Sequence, residues 1–96
     1  MRNHTARQIL AETPPETHQF VRRYSELVVR IHELLEAKGW SQKDLAERMG
    51  KSPSEISKWL SGEHNFTLRS LAKLEVELGE DLIQIPVSNS KRKQPI

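Results

Sequence analysis

Four glycines, Gly39, Gly50, Gly62 and Gly79, partition the middle of this chain, and each follows a stretch whose apolar residues recur at helical spacing. A glycine so placed suits the left-handed residue that ends a helix. Start signals alternate with these stops. Thr13-Pro14-Pro15-Glu16, Ser41-Gln42-Lys43-Asp44, Ser52-Pro53-Ser54-Glu55 and Thr67 each offer a hydroxyl to cap a first turn, the first three with an acid three residues on. Pro14 and Pro53 directly follow the hydroxyl residue, the order of a cap and a first helical position. Between these signals lie four apolar stripes. Phe20, Tyr24, Leu27, Val28, Ile31, Leu34 and Leu35 predict a first helix of about 23 residues, its N-terminal half overhanging the core. Leu45, Ala46 and Met49 line a second helix, and Ile56, Trp59 and Leu60 a third. Leu68, Leu71, Ala72, Leu74 and Leu78 line a fourth. The expectation is an all-α fold, a compact bundle of four to five helices.

Composition limits what such a bundle can be. With 96 residues the chain holds one small domain. Lys and Arg number 15 against 13 for Asp and Glu, a net charge of +2, so binding cannot rest on charge alone as in a polycation. Cysteine is absent, which excludes disulfides and thiolate metal sites and suits a reducing, cytoplasmic setting. No apolar run is long enough for a membrane span and no secretory h-region opens the chain. His4, His18, His32 and His64 form no metal-ligand spacing. No cysteine nucleophile, glycine-rich phosphate loop or paired acid cluster beside a histidine suggests an enzyme, and no cofactor is implied.

The second and third helices are joined by Gly50-Lys51 alone, too short for an antiparallel pair, so they cross steeply as a helix-turn-helix. Ala46 is the small residue that permits the approach. After Gly79 the pattern changes to Leu82-Ile83-Gln84-Ile85-Pro86-Val87, with Ile83, Ile85 and Val87 on one side of an alternating strand. That segment either lies on the helices or pairs with its copy in a second subunit; the second arrangement is preferred.

The stretch from Ser41 to Gly62 resembles the helix-turn-helix of the phage Cro and repressor type, the XRE family of transcriptional regulators. The resemblance rests on Gln42, Leu45-Ala46, Gly50, Ser52, Ile56-Ser57, Gly62 and a following capped helix with Leu71-Ala72. It implies a repressor acting as a homodimer on double-stranded DNA, with the third helix in the major groove and two such helices about 34–36 Å apart. By position, Gln42 is implied to contact phosphate. Ser52, Ser54, Glu55 and Lys58 are implied as candidates for reading bases, with Lys suited to guanine and Glu to cytosine. For Glu55 a capping role competes with base reading and suits it better. Ser57 is placed to reach phosphate, and His64, Asn65, Thr67 and Arg69 to meet the adjacent backbone. Pro53 stands where phage repressors carry a base-reading glutamine, leaving at most an apolar contact there.

The corresponding organisation is an arm over 1–12, flexible or short-helical, a DNA-binding domain over 13–79, an extended segment over 80–87 available for dimerisation, and a disordered basic tail over 88–96. Small members of the family include HigA-type antitoxins. The alternative is therefore an antitoxin that binds a toxin protein through Arg2 to Val21 and represses its own promoter. A third possibility is an interaction module without DNA binding.

Overall fold

The computed structural model describes residues 11–62 and 64–88, together with Arg7. His4, Lys91-Arg92-Lys93 and most of the arm over 1–12 lie outside the described residues. Arg7, Ala11 and Glu12 are helical, and from Pro15 on four helices succeed one another among the described residues: α1 (Pro15–Lys38), α2 (Gln42–Met49), α3 (Pro53–Ser61) and α4 (Leu68–Leu78). No strand occurs among them.

Local chemistry accounts for most of the boundaries. Ser41 caps α2, its hydroxyl accepting from the Asp44 amide at 3.1 Å while the Asp44 carboxylate accepts from the Ser41 amide at 2.8 Å. Gly39, Gly50 and Gly79 close α1, α2 and α4 with φ of 69°, 68° and 75°. Two sequence expectations are corrected at the boundaries. Thr13 is not the cap of α1; Pro14 takes that place with ψ of 142°, and Pro15 is the first helical residue. A residue before proline is disfavoured in helical geometry, so Pro15 forces Pro14 into the extended region. Gly62 also differs from its three counterparts, adopting an extended conformation with φ −129° and ψ 179° as it leads into the loop before α4.

The core draws three side chains from each helix: Ile31, Leu34 and Leu35; Leu45, Ala46 and Met49; Ile56, Trp59 and Leu60; Leu71, Leu74 and Leu78. Leu27, Val28, Trp40, Phe66, Leu82 and Ile83 pack around it. Ala46 is almost fully buried, and α2 packs against both α3 and α4. In α4 the buried stripe runs through Leu71, Leu74 and Leu78, so Ala72, one position further round the helix, is exposed. Leu68 lies at the first position of the helix, beyond the edge of the core, and is also exposed. Val21 is likewise solvent-facing, not part of the core.

With 24 residues, α1 is about 36 Å long, and its buried residues begin only at Ile31. Between Pro15 and Glu26 only Phe20 and Tyr24 are half-buried. Beyond α4 the Leu82 and Ile83 side chains pack on the core, and Glu75 clasps their backbone. A Glu75 carboxylate oxygen accepts from the amides of Leu82 at 2.7 Å and Ile83 at 3.1 Å. Ile85 and Val87 then project into solvent, and residues 83–88 carry no regular secondary structure.

Candidate nucleic-acid interface

The outward side of α3 is built by its cap. The Ser52 hydroxyl accepts from the Glu55 amide at 3.2 Å, and the Glu55 carboxylate accepts from the Ser52 amide at 3.2 Å. The same carboxylate accepts from the Ser52 hydroxyl at 3.2 Å, and Ser54 Oγ lies 3.1 Å from Ser52 Oγ. Lys51 approaches Glu55 at 3.9 Å. The amide and hydroxyl of Ser52 hold the Glu55 carboxyl below its usual range, with Lys51 and Lys58 adding to the effect. Glu55 is thus a charged cap with one carboxylate oxygen engaged by Ser52, while the other has only the approach of Lys51.

Pro53 begins α3, fixing the first turn at a position where an amide would have no helical acceptor. One turn later Ser57 and Lys58 are exposed, while Ile56, Trp59 and Leu60 turn inward. Among the described residues the Lys58 ammonium has no hydrogen bond or ion pair. The Ser57 carbonyl accepts from the Ser61 hydroxyl at 2.6 Å. The exposed side of α3 therefore combines a rigid capped start with a cation, Lys58, that feels the Glu55 carboxylate but forms no hydrogen bond or close ion pair among the described residues.

The other predicted residues fall into two groups. Gln42 is the first residue of α2 and half-buried. Thr67 caps α4, accepting from the Ser70 amide at 3.0 Å, with Arg69 exposed in the first turn. Helix geometry leaves the leading N–H groups of α2 and α4 without helical acceptors. In the loop between α3 and α4, Asn65 is exposed, but His64 is partly buried and engaged. Its ring stacks on Trp59 at 5.2 Å and meets Phe66 edge-on at 4.7 Å. The structure thus brings Ser52, Ser54 and Glu55 into direct contact. Gln42, Asn65, Lys58 and Arg69 make no side-chain hydrogen bond or ion pair among the described residues.

Two features escape a reading of the sequence by periodicity and caps. The Tyr24 hydroxyl donates to the carbonyl of Trp59 at 2.7 Å, tying α1 to the last turn of α3. Trp40 carries the Arg48 guanidinium 4.1 Å and the Lys38 ammonium 4.9 Å from its ring centre, a cation–π arrangement linking α1 to α2. Trp40 directly precedes the cap Ser41, and Leu45, the first buried residue of α2, is its fourth helical residue. An apolar residue before the cap and another at the fourth helical position have the spacing of a hydrophobic staple, a signal present in the sequence.

Fold and site together define a helix-turn-helix domain. A family model described as helix-turn-helix matches residues 31–85, more than half of the chain, and the chain belongs to that XRE-type helix-turn-helix family. It is also similar to Multiprotein-bridging factor 1 of Schizosaccharomyces pombe, with 36% identity over 62 residues, 60% of this chain and 42% of that protein. The chain thus spans less than half the length of this relative. No solved structure matches it significantly. No helix among the described residues is long and apolar enough to cross a membrane.

Proposed function

We propose that the protein is a sequence-specific reader of double-stranded DNA that represses transcription as a homodimer, with α3 lying in the major groove. The observation that carries this reading is the exposed side of α3: Pro53, Ser54, Ser57 and Lys58 project from a helix whose first turn is rigidly capped, and Lys58 makes no hydrogen bond or close ion pair within the described residues. Lys58 donates to guanine, Ser54 and Ser57 reach bases or phosphate, and Pro53 offers an apolar edge. Gln42, His64, Asn65, Thr67 and Arg69 fix the register through the backbone.

Selection of bound sequences from a random duplex pool tests the reading, and an enriched palindrome with half-sites one helical turn apart is expected. Lys58→Ala should cost on the order of 1–3 kcal/mol on that site and relax preference at one base pair. Equal weakening on all sequences would make Lys58 a phosphate contact instead. Gln42→Ala should weaken binding with the preferred sequence unchanged.

A second reading, in which the chain also binds a protein such as a toxin, draws support from the name of its relative, which describes bridging among proteins. The exposed residues before Phe20 provide a surface that the helix-turn-helix core does not use. Deleting the residues before Phe20 should then abolish capture of a toxin encoded beside it while sparing DNA binding. Retention of capture would refute that surface.

A further inference from the structure

We propose that Arg23 contacts a backbone phosphate in the DNA complex, so that the overhanging half of α1 belongs to the interface. This rests on the DNA-binding reading above and adds an element that it does not use.

Arg23 borders a cleft of about 120 Å³ with Phe20, Tyr24, His64, Asn65 and Phe66. Pockets for whole small molecules usually run to roughly 300–1,000 Å³, so this cleft is a seam between α1 and the α3–α4 loop. Aromatic contacts fix the seam along its length. Phe20 stacks with Tyr24 and Tyr24 with Phe66, each at 6.1 Å, and Phe66 meets His64, which lies on Trp59 of α3. The Tyr24–Trp59 hydrogen bond closes the same junction. Arg23 is therefore held beside the loop whose His64 and Asn65 are assigned to the DNA backbone.

The arginines of α1 are not equivalent. Arg22 is paired with Glu26 and hydrogen-bonded to Gln19, and Arg30 is paired with Glu33. Arg23 is exposed and has neither an ion pair nor a hydrogen bond among the described residues. A free, planar guanidinium with several donors matches the oxygens of a phosphate diester. In a chain of net charge +2, one further cation per subunit is a sizeable share of the attraction to DNA.

The test is the salt dependence of binding, measured by fluorescence anisotropy with the full chain and the duplex enriched from the random pool. Each neutralised phosphate contributes about −0.9 to the slope of log K against log salt. Arg23→Ala is expected to flatten the slope by about 0.9 for each bound subunit, with the preferred sequence unchanged. Arg23→Lys should keep the slope, and Arg22→Ala should leave it unaltered. A wild-type slope in Arg23→Ala and in Arg23→Gln, both with wild-type circular dichroism, overturns the assignment. A changed consensus overturns it too, because Arg23 would then read bases. Failure of the unaltered chain to enrich any duplex sinks the DNA-binding reading itself, a distinct result.

Discussion

Glu55 and Asp44 occupy the same place in successive helices, three residues after a serine whose amide and hydroxyl hold the carboxyl below its usual range. Because the folded state favours the deprotonated form, the resulting stabilisation is complete above the ordinary carboxylate range. It is lost as pH falls through that range and below. The thermal midpoint should therefore drop on acidification. The double variant Asp44→Asn, Glu55→Gln should show a shallower decline; an unchanged acid profile would remove the caps as its source. Removing the hydroxyl in Ser52→Ala should cost about 1 kcal/mol, read by urea denaturation. Glycine positions separate in the same way. No neighbouring atom would obstruct a methyl group at Gly50, yet its φ of 68° disfavours any other residue, and Gly50→Ala should cost about 1–2 kcal/mol. Gly62→Ala, at φ −129°, should be near neutral.

At the level of elements, starts and stops are mostly legible because capping is a local matter of a few hydroxyls, acids and glycines. Ser41, Ser52 and Thr67 cap where their spacing predicts. Thr13 does not, through a local conflict in which two consecutive prolines compete for the first turn. Gly62 departs for a different reason: the conformation of a helix's last glycine depends on where the chain must go next, and here it enters an aromatic loop. Leu68 and Ala72 show that a helical stripe read from sequence is wider than the strip its neighbours cover. The alternating segment after Gly79 carries no strand pairing within the single chain, as a lone extended segment has no ladder to join. Least legible is the joint between α1 and α3, since a tyrosine hydroxyl meeting a carbonyl 35 positions away leaves no periodic trace. Tyr24→Phe should cost about 1 kcal/mol by denaturation. It should also increase exchange of the amides before Ser25.

At the scale of the molecule, twelve buried apolar side chains among the described residues hold α1 to α4 together, a small core with little redundancy. Leu74 is fully buried, as are Ile31 and Ile56; Leu74→Ala should cost about 2–5 kcal/mol, measured by thermal or urea unfolding. A homodimer would relieve this thinness, and it predicts a thermal midpoint that rises with protein concentration. A concentration-independent midpoint would speak for a monomer. The candidate site is legible at the level of which residues are exposed on α3, but not which bases they meet, since that depends on how a second molecule is presented. The Glu75 clasp on the amides of Leu82 and Ile83 bears on the chain's geometry beyond the bundle. With its carboxylate gripping the backbone seven and eight residues on, the polypeptide leaves the domain from a fixed anchorage and not from a fraying helix end. The clasp thus works as a surveyor's mark at Leu82 and Ile83, beside α4.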